Sequence, residues 1–331
     1  VIRACFVGVW LLVLAGCARE PEVITEQAYV FGTLVEVSVV DDSAAPARPA
    51  IAAVLARFDA LHRQLHAWQP SELSRLNSAL AQGRRATVTP ELAALLADAQ
   101  TISIRSGNLF DPAIGGLIAL WGFQADAPSG RVPAAATVTA WVKKNPRMSD
   151  LQLAGTTVWS DNPSVQLDLG GYAKGYALDQ AAAILHARGV HNALVNIGGN
   201  LIALGLHGDR PWRVGIQHPR QPGMLATLDL HDGEALGTSG DYQRFFEAGG
   251  KRYCHLIDPR SGYPAQGMQS VTVLVAGAHA GTRSDALSKP LFIGGASALP
   301  ENAAHMGVAT YIAVDAQGRK IVSPALAARL R

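Results

Sequence analysis

The chain has 331 residues, of which 49% are hydrophobic and 16% charged, ample for a large core and fitting one big domain or two intimate ones. A formal net charge of +2, without a basic run or a basic–aromatic stripe, argues against dedicated nucleic-acid binding.

The first seventeen residues differ from the rest. Arg3 is the one charge before an apolar run from Ala4 to Ala15, which is too short to persist as a membrane-spanning helix. It closes on Leu14-Ala15-Gly16-Cys17, which resembles a bacterial lipoprotein signal, an ordinary signal peptide being the alternative. Residues 1–17 are therefore expected to be a signal peptide and Cys17 the lipidation site. The anchor would hold the protein on the periplasmic side of a bacterial membrane. Ala18 supplies no acidic retention signal, which favours the outer membrane over the inner. With Cys5 removed and Cys17 lipidated, Cys254 is left as a free thiol, without a disulfide partner or enough ligands for a structural zinc site.

A short acidic linker, residues 18–27, precedes a β-branched, alternating stretch from Ala28 to Val40 that reads as a strand, interrupted near its start by Phe31-Gly32-Thr33. Asp41 to Pro49 reads as a loop and Ile51 to His66 as a helix. Trp68 to Pro70 is a turn, and Ser71 to Asn77 begins a short helix or turn. Thr89 as N-cap and Pro90 at the first helical position start another helix, running to about Ser106 and stopping at Gly107. Leu109 to Phe123 is apolar but broken by Pro112, Gly115, Gly116 and Gly122, and reads as a buried irregular loop or as one wall of a ligand pocket. A polar loop, Ala125 to Pro133, leads into a helix from Ala134 to Lys144.

Leu167 to Asp179, LDLGGYAKGYALD, is the most informative stretch. Its apolar–acid–apolar opening suits a strand end, Gly170-Gly171 allows close backbone approach, and Ala173, Ala177, Ala181, Ile184 and Leu185 recur at helical spacing. A strand, a glycine turn and a helix start bring free amides and a dipole to one point, where Lys174 adds a positive charge for a phosphate. A tight turn without a ligand fits the spacing equally well. The stretch is neither GxGxxG nor GxxxxGK[ST], so neither usual nucleotide fold follows.

The second half is strand-rich. Ala193–Asn196, Leu201–Leu206, Arg213–Gln217, Leu225–Leu230 and Ala235–Ser239 read as short strands; Arg244–Ala248 and Arg252–Ile257 form a hairpin about Gly249-Gly250. Ser270–Ala276 is a strand, Gly281–Phe292 a helix and Tyr311–Asp315 a late strand. Early helices followed by strands predict an α+β protein.

His255 ends a strand before the turn Arg260-Ser261-Gly262 and could exchange a proton near neutral pH. Asp285 and Lys289 stand one helical turn apart, as either an ordinary ion pair or a carboxylate and an ammonium beside a metal or a diphosphate. No GxSxG elbow is present, which discounts a serine hydrolase.

In order along the chain, Phe31-Gly32-Thr33, SELSRLN from Ser71, FDPAIGGLIALWGF from Phe110, DLGGYAKGYALD from Asp168, ALVNIGGN from Ala193, TSGDYQRFF from Thr238, YCHLIDPRSGYP from Tyr253, SVTVLV from Ser270 and SDALSKPLFIGG from Ser284 resemble the ApbE family, the FAD:protein FMN transferases. The resemblance implies one domain over residues 28–331, with two intimately packed lobes, mixed and largely antiparallel sheets with helices against them, and FAD in a central cleft. It further implies Mg²⁺-dependent transfer of FMN to a threonine of a flavoprotein, a subunit of a membrane redox complex, with release of AMP. A FAD pyrophosphatase and a non-catalytic FAD-binding lipoprotein are the alternatives. By position, the resemblance puts Phe31, Trp68, Leu109, Phe110, Asp111, Asp168, Lys174 and Ile257 at the cofactor. The Gly171 carbonyl and the Asp285 carboxylate would hold the metal, and His255 would act as the general base on the incoming threonine or would position it. Lys289 stands where the family usually has a threonine that also binds the metal, and a protonated ammonium has no lone pair to offer.

Overall fold

The computed structural model describes residues 22–40, 47–125, 127–128 and 130–331; the stretch expected to be a signal peptide, residues 1–17 with Cys17, lies outside the described residues. Among them, eight strands form one sheet in the order Val23–Val30, Thr33–Val40, Ala193–Ile197, Asn200–Leu204, Glu234–Gly240, Met268–Ala276, Tyr311–Asp315 and Lys320–Val322. Every neighbouring pair runs antiparallel. The α+β expectation holds.

The sheet is covered on both faces, so its middle strands are apolar on both sides. Along Met268–Ala276, Val271 and Val273 enter the core beneath a long helix. Leu274 turns the other way, into a core with Trp212, Val214, Leu228 and Leu230 of the hairpin Trp212–Gln217/Met224–Leu230. The largest core joins the first two strands to the helices Ala47–Leu65, Glu72–Ala81, Pro90–Arg105 and Ala173–Ala187.

The long helix, Ala280–Met306, is bent at Gly295, whose φ of 78° is non-helical. It crosses Ala173–Ala187 where both helices carry glycine. A Cβ on Gly175 would come within 2.4 Å of the Gly281 carbonyl oxygen, and one on Gly281 within 2.5 Å of that of Gly175. Asp179 fixes the crossing from beneath: its carboxylate accepts the N–H groups of Gly281 at 2.8 Å and Thr282 at 2.9 Å, and the Thr282 hydroxyl at 2.6 Å. These bonds satisfy amides that a helix start leaves orphaned.

Several local expectations are corrected. The stretch read as one strand from Ala28 is two, paired as a hairpin that turns at Phe31-Gly32, and the first begins at Val23, inside the presumed linker. Leu167–Leu169 joins no strand; Gln166 just before it makes an isolated bridge to Ile114. Leu109–Phe123 contains a short helix, Gly115–Leu120. The hairpin after Gly240 ends at Cys254, and Ile257 belongs to a second small one with Tyr263 and Pro264. Thr89 and Pro90 start their helix as expected, the Thr89 hydroxyl accepting the Leu92 N–H at 3.3 Å.

Candidate functional site

A cleft of about 760 Å³ opens between the Phe31-Gly32 turn, the end of the Ala47–Leu65 helix, the glycine turn, the end of the Glu234–Gly240 strand and the long helix. Its lining includes Phe31, Trp68, Leu109, Phe110, Asp111, Asp168, Gly171, Lys174, His255 and Ile257, brought together from across the chain. Thr238, Ser239, Gln243, Arg244 and Lys289 complete the polar wall; the first four lie in the TSGDYQRFF stretch, for which the sequence suggested no site role. Its volume falls within the roughly 300–1,000 Å³ common for cofactor sites.

The apolar end is built from aromatic packing. Phe31 sits in the left-handed region, at φ 56°, and its ring meets Phe58 at 6.0 Å and His62 edge-on at 5.8 Å. Ile257 lies in a buried cluster with Trp121 and Phe123, the latter edge-on to His255 at 6.4 Å. Leu109 and Phe110 are buried, and the Phe110 N–H donates to the Ser106 hydroxyl at 3.0 Å.

The glycine turn is occupied more fully by the protein itself than its sequence suggests. Gly170 N–H donates to Asp168 Oδ1 at 2.8 Å, and Trp68 Nε1 donates to Asp168 Oδ2 at 3.1 Å. Gly175 N–H, in the first turn of the following helix, donates to Asp285 Oδ2 at 2.9 Å. Two amides there are thus taken by the chain's own carboxylates. Lys174 makes no direct ion pair among the described residues and lines the cleft.

Asp285 is fully buried and does not line the cleft; Lys289, 8% exposed, covers it. Lys289 Nζ donates to the Asp285 main-chain oxygen at 2.8 Å and to its Oδ1. Burial pushes the Asp285 carboxyl up, but the charges of Lys289 and Lys174 and the hydrogen bonds from Lys289 and Gly175 outweigh it and leave the group below its ordinary range. The metal expectation does not fit this donor set. Mg²⁺ takes near-octahedral oxygens, yet Oδ1 and the main-chain oxygen already accept from an ammonium and Oδ2 from Gly175. Among the described residues, no group of three or more His, Cys, Asp or Glu is placed to hold a metal.

His255 Nδ1 lies 3.2 Å from the Arg244 carbonyl oxygen, which can only accept. The proton therefore sits on Nδ1, leaving the Nε2 lone pair available as a base. Desolvation first, then the charges of Lys174 and Arg244, pull the imidazole down to about 3. The ring is neutral at physiological pH.

Asp111 is 6% exposed. Its Oδ1 accepts the N–H groups of Ala113 at 3.0 Å and Met148 at 3.1 Å, while Oδ2 has no partner among the described residues. Burial lifts its pKa to about 6.

The ApbE family model matches residues 31–312 of the chain. The chain belongs to the ApbE family. A FAD:protein FMN transferase of Rhodobacter capsulatus is 45% identical over 324 residues, covering 96% of this chain and 61% of the relative, so the chain spans less than two thirds of that protein. A FAD:protein FMN transferase of Klebsiella pneumoniae is 31% identical over 328 residues, covering 94% of this chain and 92% of the relative. The crystal structure of an ApbE protein from Thermotoga maritima superimposes with a TM-score of 0.84 at 28% identity, covering 94% of this chain and all of that one.

Proposed function

We propose that the chain is a FAD:protein FMN transferase, as its ApbE relatives are named. The observation that carries the reading is the neutral His255, its Nδ1 turned to the Arg244 carbonyl, in the same cleft as Lys174, Lys289 and the glycine turn.

FAD would lie with its isoalloxazine toward Phe31 and Trp68 and its diphosphate toward Gly171, Lys174 and Lys289. The threonine hydroxyl of an acceptor flavoprotein attacks the phosphorus on the FMN side. A new oxygen–phosphorus bond forms, the bond from that phosphorus to the bridging oxygen breaks, and AMP leaves carrying the bridging oxygen. Nε2 of His255 receives the hydroxyl proton and returns it to solvent or to the departing phosphate. The lysines offset charge on the diphosphate, and the wall of Leu109, Phe110 and Ile257 excludes water that would otherwise compete with the threonine. The Mg²⁺ implied by the family resemblance is assigned no step, because Asp285 is already satisfied.

The same reading places the protein on the periplasmic side of a bacterial membrane, outer rather than inner, with Cys17 carrying lipid. It acts there on a flavoprotein subunit of a membrane redox complex. The motif Leu14-Ala15-Gly16-Cys17 supports this, and radiolabelled palmitate lost in a Cys17→Ser variant tests it.

Incubation of the full chain with FAD and a threonine-bearing acceptor peptide, read by mass spectrometry, is expected to give a peptide heavier by one phosphoester-linked FMN, with AMP in equal amount. Free FMN and AMP with an unlabelled peptide would instead favour the pyrophosphatase.

A further inference from the structure

The Asp285–Lys289 pair is built as one rigid unit. Both residues lie on the long helix one turn apart, and the Gly175 N–H holds the second carboxylate oxygen from the crossing helix. The lysine stem runs along the glycine turn: a Cβ on Gly171 would lie 3.0 Å from Lys289 Cε and 3.5 Å from Cδ. Gly171 thus leaves just the room this side chain fills, and the ammonium forms part of the cleft wall. An ammonium has three donors, and Asp285 takes two through its main-chain oxygen and Oδ1. The third is left for a ligand.

We propose that Lys289 is a built-in cation that takes the place of a divalent metal at the FAD diphosphate, so that this chain binds FAD without Mg²⁺. The inference rests on the reading of the cleft as a FAD site. A lysine ammonium recognises phosphate as a point charge, and a helix-borne ion pair with a buried carboxylate holds it in place without a coordination sphere. A dication at Asp285 Oδ1 would meet that ammonium at close range, so the metal and Lys289 exclude each other.

The test uses the full chain stripped with a chelator, its residual metal measured by elemental mass spectrometry, and FAD affinity read from flavin fluorescence with and without millimolar Mg²⁺. Native protein is expected to bind FAD with a Kd that Mg²⁺ changes by less than about twofold, and Lys289→Thr to bind about tenfold or more weakly until Mg²⁺ is supplied. Native binding that tightens by about tenfold with Mg²⁺ overturns the proposal while leaving the FAD site intact. So does Lys289→Thr binding FAD as tightly as native protein without metal. Native protein that binds no FAD in either condition overturns the cleft assignment itself, and this proposal with it. The native arm needs no substitution, so a variant that fails to fold cannot shield the idea.

Discussion

Trp68 and Asp168, 100 residues apart in the chain, are joined by a 3.1 Å hydrogen bond from the indole N–H to the carboxylate. Asp168 also accepts the Gly170 N–H, so one side chain ties the turn after the first helix to the glycine turn across the cleft. Trp68→Phe keeps an aromatic face but removes the donor, leaving a carboxylate oxygen short of a partner. The cost expected is about 1 kcal/mol of stability and roughly fivefold in FAD affinity. Chemical denaturation and flavin fluorescence check the two figures; a variant indistinguishable from native protein in both would show that the bond positions nothing.

His255→Ala removes the base and leaves the diphosphate wall in place. The transfer rate should fall by roughly 10²- to 10⁴-fold while the FAD dissociation constant stays within about threefold. Single-turnover kinetics separate the two. A parallel loss of binding would mean that the imidazole holds the cofactor rather than the proton.

The same ring gives a pH prediction. Its folded pKa is depressed, so the stability it contributes is present above the ordinary imidazole range and is lost as the pH falls from there toward about 3. In the FAD-free protein its C2 proton should therefore show no titration by NMR between pH 8 and pH 5. Bound diphosphate adds negative charge opposite Lys174 and Lys289, which raises the pKa and couples binding to proton uptake. A free-enzyme midpoint in the ordinary histidine range would remove this account.

The parts of the fold that were legible in the sequence rest on local chemistry. Thr89-Pro90 caps its helix, Gly249-Gly250 turns its hairpin at positive φ, and the helix after Gly171 starts where its alanines predict. The hairpin at Phe31 was hidden because its turn uses a phenylalanine in the left-handed region, where glycine or asparagine is the usual signal. Gly115 and Gly116 read as strand breakers, yet they begin a helix. The glycines are needed because a Cβ would strike the Gln166 carbonyl oxygen at 2.6 Å or the Trp141 ring at 1.9 Å, contacts that no local pattern reports. In the site, spacing put Lys289 on the face of Asp285. Whether the ammonium would point at that carboxylate or away from it depends on burial by the crossing helix, a tertiary fact. Arg244 escaped notice because its hydrogen bond to His255 is made by a backbone carbonyl, which any residue carries.

Gly175→Ala tests the helix crossing that carries Asp285. In an isolated helix the change would gain about 1 kcal/mol. Here the added carbon meets the Gly281 carbonyl oxygen at 2.4 Å and the Asp285 Cβ at 2.6 Å, and backbone cannot swing aside as a side chain does. Overpacking of this kind costs about 1–3 kcal/mol, so the net change should be destabilising, with FAD affinity falling as Asp285 and Lys289 shift. Thermal melts showing a stabilised variant would mean that the two helices separate more easily than this contact allows.

Asp111 provides a test whose sign depends on pH. Its folded pKa of about 6 lies above the ordinary aspartate range, so between the two the native state holds a proton that the unfolded chain has released. The stability it contributes is therefore greatest below the unfolded pKa and is lost as the pH rises through about 6. Asparagine keeps Oδ1 for the Ala113 and Met148 amides and removes the buried charge. Asp111→Asn should thus match native protein near pH 4 and exceed it at pH 8 by on the order of 2 kcal/mol, measured by urea denaturation at both values. The buried Oδ2, without a partner among the described residues, opens the same question for binding, since Asp111 is part of the cleft lining and a ligand N–H that reached this oxygen would satisfy it. If it does, FAD will stabilise native protein more than the variant at pH 8, because the cofactor then relieves a cost that asparagine has already removed. Equal stabilisation of the two proteins by FAD would place Asp111 in the architecture of the turn and outside cofactor recognition.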